Sequence, residues 1–562
     1  MLRKLLVITL AVALVFTMSL GTVFGCTTVV VGKNLTTDGS VLFAHSEELD
    51  GGDVHHLVYV PRGYHPPGEK WVGLNPPDFD PSFNFGPTVI DQVPMTYSFI
   101  AATLYDKTWY PGDYTSGVNE MQVTIGNNMT NSKDQNPRDN WALVEGGLIW
   151  TEYTQLVLER AATAREGVEI IGKYHEQCHL SGDPGTMYLI ADPNEGWVIE
   201  LAVNGQWIAK RIPASGYYVL TNSYTIGAET DLDSPDVLHS PDVVDYAVSK
   251  GYYNPAGGAP FSFKDAYGTV SNQASESNNL RIREVSKMID AGPVDKQKMM
   301  EIMRTCYEGT DVYRENATTG SPLSVSGVRT VSRLTTEAGS VVQLRSDMPK
   351  EIGTTIWWAL STAKTSPYVP YYLGATDFPE PYQAGVPRVR NEDPEIQRAF
   401  SAYWRCRDLA QRVHATYRES FPIVKAALDA YEQGAFDRQA AVEAEALKIM
   451  KAHGAVAASR FLNDYSNSLA VAAFDLTGDL LKKLFNQIPL SIDVAASVEK
   501  LPGNQNSLTV SVHDKYFNGT ENDFTETFKI SNNAVGTYNV GGYNVYVDTK
   551  GNTQIRECYI LK

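Results

Sequence analysis

Short apolar runs separated by turn residues dominate the chain up to about residue 382. Four of these runs are apolar or β-branched and are bounded by Gly, Pro or Asn, as strands are: 27–31, 41–44, 188–191 and 197–201. The stretch 150–175 instead has Glu, Arg, Ala and Leu at helical spacing, with neither Pro nor Gly before Gly167. We therefore predict that sheet and helix alternate in this part of the chain.

The pattern changes twice in the second half. From 393 to about 485, long stretches of Ala, Leu, Glu and Arg predict helices. After Pro489, alternating segments separated by Asn-Gly, Gly-Asn and Gly-Gly turns predict short strands. Three parts follow from this pattern: a main α+β domain at 26–385, a helical region at 386–487 that completes or packs on it, and a small β-rich appendage of unknown role at 488–562.

The first 25 residues have the layout of a secretory signal. Arg3 and Lys4 precede a largely apolar run at 5–20, and small or apolar residues follow at 21–25. The run is shorter than the roughly 20 residues that a spanning helix needs, and no basic flank follows it. We therefore expect a segment 1–25 that is removed, no permanent membrane span, and a secreted or cell-envelope protein that begins at Cys26.

Charge and cysteine content narrow the function. The formal net charge is −18, and it becomes more negative once Arg3 and Lys4 are removed, which disfavours nucleic acid as a partner. Five cysteines are an odd number, so in an exported chain at least one thiol stays free or pairs between molecules. Cys26 is the natural candidate.

A cysteine at the start of a chain combines two catalytic groups in one residue. Its thiol is a nucleophile, and its α-amine, with an ordinary pKa of about 8, accepts the thiol proton near neutral pH. The buried-strand pattern at 27–32 would hold such a residue rigidly. The alternative is a lipidated Cys26 in a non-enzymatic surface lipoprotein, although Phe24 is bulky for a lipoprotein cleavage site and no flexible tether follows.

A second candidate is a five-residue match to H-E-x-x-H, the zinc-binding helix of many metallopeptidases, at His175, Glu176 and His179. That chemistry needs both histidines on one face of a continuous helix, with a third ligand nearby. Here Ser-Gly-Asp-Pro-Gly follows at 181–185, so we expect the helix to end near His179. Two histidines at a helix terminus are the favoured interpretation, and a zinc peptidase, with Glu200 as a distant third ligand, stays as an alternative.

Several short blocks resemble, in the same order, the family of cysteine dipeptidases. These blocks are CTTVVVGK at 26–33, DGS at 38–40, GVNE at 117–120, LERA at 158–161, TARE at 163–166, ADPNE at 191–195, YEGT at 307–310, SPYVPYY at 366–372 and VEAEAL at 442–447. The resemblance spans roughly 26–485 and leaves the appendage uncovered. It implies the four-layer αββα sandwich of N-terminal-nucleophile hydrolases, with penicillin V acylase and bile salt hydrolase as distant relatives.

The resemblance also suggests individual site residues. Cys26 matches the nucleophile. Asn222 is similar to an asparagine that lies beside the nucleophile in the distant acylases, and Asn127 or Asn128 lies near where those acylases place an oxyanion-hole amide.

One block departs from the family pattern. Members commonly show Arg-Asn-Asp-Asp after the second strand, where this chain has His-Ser-Glu-Glu at 45–48. We therefore expect His45 to be a smaller, pH-dependent substitute for the arginine and Glu48 to orient the α-amine.

The sequence thus predicts an exported cysteine-type dipeptidase that forms a thioester on Cys26 and uses the α-amine of Cys26 as base. The expected partners are small peptide substrates, no metal or organic cofactor is expected, and the oligomeric state is left open. An amidase of the same fold acting on non-peptide amides, the zinc peptidase and the lipoprotein remain as alternatives.

Overall fold

The computed structural model describes residues 25–49, 54–79, 81–105, 113–134, 143–383, 400–487, 491–501, 505–516, 520–530, 536–540, 543–547 and 553–558. The predicted signal segment lies outside these residues except for Gly25.

The strands in chain order are β1 Thr27–Val31, β2 Val41–Glu48, β3 Val54–Val60, β4 Gly63–Tyr64, β5 Lys70–Val72, β6 Val89–Asp91, β7 Met95–Thr96, β8 Phe99–Tyr105, β9 Tyr114–Asn119, β10 Thr124–Met129, β11 Thr186–Ala191, β12 Gly196–Leu201, β13 Trp207–Ile212, β14 Tyr217–Leu220, β15 Val237–His239, β16 Thr336–Leu344, β17 Thr354–Leu360, β18 Val369–Tyr372, β19 Ser491–Leu501, β20 Gln505–Lys515, β21 Glu521–Ile530, β22 Gly536–Val540, β23 Tyr543–Val547 and β24 Thr553–Cys558.

The α-helices in chain order are α1 Pro76–Phe79, α2 Trp150–Arg160, α3 Ala164–Cys178, α4 Val243–Ser249, α5 Phe263–Tyr267, α6 Val270–Gln273, α7 Glu276–Asp290, α8 Lys296–Met303, α9 Lys350–Gly353, α10 Glu380–Gln383, α11 Ala402–Ala415, α12 Tyr417–His453 and α13 Ala455–Gln487, and a short 3₁₀ turn lies at Pro255–Gly257.

Two antiparallel sheets form the centre of the main domain. The first has the strand order β14-β1-β2-β16-β17-β18, and the second has the order β15-β13-β12-β11-β10-β9-β8-β3. They face each other where β1 contacts β10 and β11, and apolar side chains such as Val29, Phe43 and Leu189 fill the space between layers. Because β1 and β2 are buried on both faces, they appear in the sequence as nearly continuous apolar runs.

Helices cover the outer faces of both sheets. On the eight-stranded sheet, α2 contacts β9 and β10 while α3 contacts β11 and β12, around a core that includes Tyr153, Ile171 and Trp197. On the six-stranded sheet, α7 contacts β14, and α8 contacts β2 and β16. The order helix, sheet, sheet, helix confirms the predicted four-layer αββα sandwich.

The helical region and the appendage are also present as predicted. α12 and α13 pack on each other, α11 contacts β17, and α13 contacts β18. Arg304 and Arg345 pair with Glu432 and Glu443 of α12 at 2.5 and 2.6 Å, which ties this region to the main domain. In the appendage, β19-β20-β21 and β22-β23-β24 form two three-stranded sheets. The exact domain boundaries stay predictions. None of the helices in the described ranges has the length and apolar character needed to cross a membrane.

Candidate active site

Cys26 lies at the start of β1, in the interior of the six-stranded sheet. Thr28 is opposite Leu220 on β14, and Thr27 is opposite Ser46 on β2. Continuing these two registers places Asn222 and Glu47 on either side of Cys26. Cys26 is only 4% exposed, so the geometry of its thiol is set by the protein rather than by solvent.

The thiol faces a carboxylate and an imidazole. Cys26 Sγ donates a hydrogen bond to Glu47 Oε1 at 3.0 Å, and His45 Nε2 lies 3.1 Å from Glu47 Oε2. His45 and Glu47 are two residues apart on β2, so strand alternation puts both on the face that carries Cys26 and Thr28. The three side chains are buried and form one cluster.

Neighbouring hydrogen bonds fix the protonation of the imidazole. Asn128 donates its amide N–H groups to the carbonyl oxygens of Cys26 and Leu220 at 2.7 and 3.3 Å, so Asn128 Oδ1 is left as an acceptor. Thr28 donates its only hydroxyl proton to that oxygen at 2.5 Å, and His45 Nδ1, 2.8 Å from Thr28 Oγ1, must therefore be a donor. The other ring nitrogen, Nε2, points at the Glu47 carboxylate, which requires a proton or another cation between them.

The electrostatics keep the thiol protonated while Cys26 follows Gly25. Burial raises the pKa of the Cys26 thiol well above its ordinary value, and the negative charge of Glu47 raises it further. Burial opposes ionisation of Glu47 as well, but the hydrogen bond from His45 and the charges of His45 and His55 lower its pKa overall. Glu47 is therefore a carboxylate at neutral pH, and His45 Nε2 lies against it.

A buried arginine of α7 holds the backbone around Cys26. This residue is Arg281. Its guanidinium donates hydrogen bonds of 2.7 to 3.1 Å to Gly25 O, Cys26 O, Thr27 Oγ1, Asn222 Oδ1 and Asn278 Oδ1. Burial, followed by the like charge of Arg329, lowers the pKa of Arg281 to about 10, so the side chain remains a cation at neutral pH. Arg281 thus links the nucleophile candidate to Asn222.

Gly25 occupies a position that admits no side chain. Its N–H donates to the Glu48 carbonyl at 3.2 Å, and a Cβ built on it would overlap the guanidinium of Arg329. Arg329 in turn pairs with Glu48 Oε2 at 2.9 Å. A side chain at the residue before the expected cleavage point would therefore displace the Arg329 guanidinium.

The structure places most of the predicted site residues around Cys26 and turns the side chains of two of them elsewhere. Asn128, His45 and Asn222 lie around Cys26. Asn127 does not, because successive residues of β10 point to opposite faces of the sheet and Asn128 takes the face towards Cys26.

Glu48 does not face the Cys26 thiol, and its expected role at the α-amine stays a prediction. Its carboxylate pairs with Arg329, and the carboxylate beside the thiol is that of Glu47. Glu47 was detectable from its two-residue offset to His45. Arg281, Asn278 and Thr28 were not singled out from the sequence either, and for Arg281 no local pattern points to a partner 255 residues away.

The H-E-x-x-H motif does not converge on a metal site in the described chain. As predicted, α3 ends before His179, which is its C-cap and has φ 63°. His175 Nδ1 lies 3.0 Å from the Tyr153 hydroxyl, burial lowers the pKa of His175 to about 3, and Glu176 accepts from Trp207 Nε1. Glu200 accepts hydrogen bonds from Thr225. In the part of the chain that the structure describes, the one Cys, His and acid group compact enough for a metal ion is Cys26, His45 and Glu47.

Comparisons with known proteins agree with the resemblance. The sequence profile of peptidase family C69 matches residues 25–429. A probable dipeptidase B of Streptococcus pyogenes serotype M1 is 26% identical over 385 residues, which cover 64% of this chain and 74% of the relative. A probable dipeptidase of Salmonella dublin is 24% identical over 412 residues, covering 69% of this chain and 90% of the relative.

Among solved structures, a mutant conjugated bile acid hydrolase from Clostridium perfringens matches with a TM-score of 0.31 and 12% identity, covering 62% of this chain and 92% of that one. The family match confirms the predicted enzyme class, a cysteine-type dipeptidase. The chain belongs to peptidase family C69.

Proposed function

We propose that this chain is an exported dipeptidase that becomes active when Cys26 is its first residue. The observation that supports this most directly is the set of contacts around Cys26, whose thiol lies against Glu47 and whose carbonyl is held by Arg281 and Asn128. Such contacts fix both the side chain and the backbone of one residue, which is what a nucleophile that also supplies the base requires.

Removal of residues 1–25 supplies what the full chain lacks. With Gly25 attached, the nitrogen of Cys26 is an amide and cannot act as a base, and the raised pKa of the buried thiol leaves little thiolate. A free α-amine has an ordinary pKa of about 8 and sits on the same residue as the thiol. Loss of Gly25 also uncovers the Arg329 guanidinium, against which that glycine packs.

The proposed reaction has two acyl-transfer steps. The amine takes the thiol proton, and the sulfur attacks the scissile carbonyl carbon to form a tetrahedral oxyanion, which backbone N–H groups and the Asn222 amide stabilise. The ammonium then gives its proton to the leaving amine as the thioester forms. Water, deprotonated by the regenerated amine, attacks the thioester and releases the acid product and the free thiol.

Four other residues position these groups. Arg281 and Asn128 bind the Cys26 carbonyl, so the sulfur and the amine keep one orientation relative to the sheet. Glu47 accepts from the thiol, and His45 balances the charge of Glu47 in the buried site. His45 therefore acts through Glu47 rather than on the substrate.

Dipeptides are the proposed substrates, since relatives that cover most of the matched region are named probable dipeptidases. Export rests on the charged, apolar and small-residue order of the first 25 residues.

A substrate panel on matched variants tests the proposal. The mature protein should hydrolyse dipeptides faster than N-acyl amides, Cys26→Ala should abolish turnover without loss of the folded state, and Cys178→Ala, at a half-buried thiol outside the site, should retain it. Full activity in Cys26→Ala would refute the thiol mechanism. Faster hydrolysis of N-acyl amides would favour an amidase of the same fold.

A further inference from the structure

We propose that Cys26, His45 and Glu47 also form an inhibitory binding site for a thiophilic divalent cation such as Zn²⁺. Binding needs only these three side chains and goes beyond peptide hydrolysis, whereas the inhibition rests on the proposed role of Cys26 as nucleophile. The site is distinct from the H-E-x-x-H motif, in which the His175 and Glu176 side chains are engaged elsewhere.

The spacing of the donor atoms suits a tetrahedral ion. Cys26 Sγ lies 3.0 Å from Glu47 Oε1, His45 Nε2 lies 3.1 Å from Glu47 Oε2, and one donor atom from each residue falls within 4.8 Å of the others. Ligands bound at zinc's usual distances of about 2.0 to 2.3 Å are separated from one another by about 3.3 to 3.8 Å. Small rotamer adjustments therefore convert the existing contacts into ligation.

The hydrogen-bond network already presents the right lone pair. Because the Thr28 hydroxyl donates its hydrogen bond to Asn128 Oδ1, it can only accept from His45, so His45 Nδ1 must carry a proton. The other ring nitrogen, Nε2, faces the Glu47 carboxylate. A neutral His45 would set a nitrogen lone pair against a carboxylate oxygen, which is unfavourable unless a cation lies between them. In the proposed complex that cation is the divalent ion.

Charge balance favours a divalent ion in particular. In the proposed complex a thiolate and a carboxylate carry two negative charges, which one divalent ion balances. The buried site therefore gains metal–ligand bonds without a net buried charge, which would be costly.

Two further features add to the site. The Thr28 hydroxyl, bonded to His45 Nδ1, is the outer partner that orients a metal-binding histidine. Once Cys26 is the first residue, its α-amine can join its sulfur as a donor from the same residue. The ion would then hold both the nucleophile and the base of the proposed reaction, and turnover would stop.

Equilibrium metal binding tests the proposal independently of activity. Zn²⁺ affinity is measured by competition with a chromophoric chelator, and Co²⁺ is added separately to look for the thiolate-to-cobalt absorption band. We expect wild type to bind one ion and to show this band. Thr28→Val should weaken Zn²⁺ binding about 10- to 100-fold, and Cys26→Ala and Glu47→Gln should weaken it more. His179→Asn and Cys178→Ser are the matched controls and should bind as wild type does.

The pH dependence provides a second readout. Because the Cys26 thiol must lose its proton to bind the ion, apparent affinity should fall by up to about tenfold for each pH unit of acidification below neutrality. Wild-type affinity no tighter than that of Cys26→Ala, or a loss of binding in His179→Asn, would overturn the proposal. Thr28→Val, in which only one hydroxyl is lost, keeps the test decisive if Glu47→Gln fails to fold.

Activity assays separate this proposal from the proposed function. Added Zn²⁺ should inhibit dipeptide hydrolysis, and a chelator should restore it, which is the reverse of its effect on a zinc peptidase. A protein that binds Zn²⁺ through Cys26 but hydrolyses no dipeptide would refute the function and keep the site. A dipeptidase that is active but binds no Zn²⁺ would refute the site and keep the function.

Discussion

Replacing Arg281 by methionine tests whether the buried guanidinium organises the site. The change keeps a long apolar side chain and removes every hydrogen bond from Arg281 to the Cys26 carbonyl, Asn222 and Asn278. The two asparagine side-chain oxygens then lose this donor in a region closed to water.

The expected loss of stability follows from those contacts. A hydrogen bond to a charged group contributes about 1.5 to 3 kcal/mol, and an orphaned buried acceptor costs about 1 to 3 kcal/mol. Arg281 is itself buried, and the relief of its desolvation offsets part of the sum, as the lowering of its pKa to about 10 indicates. We therefore expect Arg281→Met to lower the free energy of unfolding by about 3 to 5 kcal/mol, a large share of the about 5 to 15 kcal/mol of a typical domain.

Urea unfolding and dipeptide hydrolysis are measured on the same samples. Arg283→Met is the matched control, because Arg283 lies two residues along α7 and is itself exposed, and its buried partner Glu284 keeps Lys287 as a second partner, so urea unfolding should stay close to that of wild type. Arg281→Lys, which keeps the charge without reaching every acceptor, should be intermediate. If Arg281→Met unfolds as wild type does and retains its kcat, Arg281 does not organise the site.

The remaining predictions concern a second buried pair and the effect of pH. Arg329→Met leaves the Glu48 carboxylate buried without its guanidinium and should lower the free energy of unfolding by about 3 to 5 kcal/mol, measured in urea. Arg418→Met, at an exposed pair, should lower it by less than about 1 kcal/mol. Equal losses in the two variants would contradict this. The contribution of Asp113 to stability should fall as pH rises from about 4 to about 7, because burial raises the pKa of Asp113 to about 7 and over that range the folded state holds a proton that the unfolded state has released. Asp113→Asn should flatten that slope in pH-dependent thermal unfolding, and an unchanged slope would refute the assignment. Glu47 acts in the opposite direction, because its pKa is lowered and its contribution to stability is lost as it takes up a proton below a pH of about 4. Glu47→Gln should reduce this loss of stability in acid.

Much of the fold was predictable because its strands are buried on both faces. β1 and β2 appear as apolar runs, and the helix at 150–175 appears as two helices, α2 and α3, separated by a short break. The end of α3 before His179 was predictable as well, since the Ser-Gly-Asp-Pro-Gly stretch that follows cannot continue a helix. These features depend on residues close together in the chain.

The site residues were predictable only where their neighbours in the sequence determine them. Cys26 followed from its place after the signal pattern. The choices between Asn127 and Asn128, and between Glu47 and Glu48, depend on which face of a strand each residue takes. The two-residue offset to His45 favours Glu47, whereas nothing in β10 distinguishes Asn127 from Asn128. Arg281 reaches Cys26 only because α7 packs on the six-stranded sheet, which no local pattern encodes.

The central claim is that the enzyme acts through Cys26 as its first residue. Intact mass spectrometry of the secreted protein, before and after brief thiol alkylation, tests this claim most directly. Dipeptide hydrolysis is followed in the same samples. We expect a chain that begins at unmodified Cys26 and loses activity in proportion to alkylation of that residue. A lipid on Cys26, a retained segment 1–25 in the active protein, or activity that survives complete alkylation of Cys26 would contradict the account.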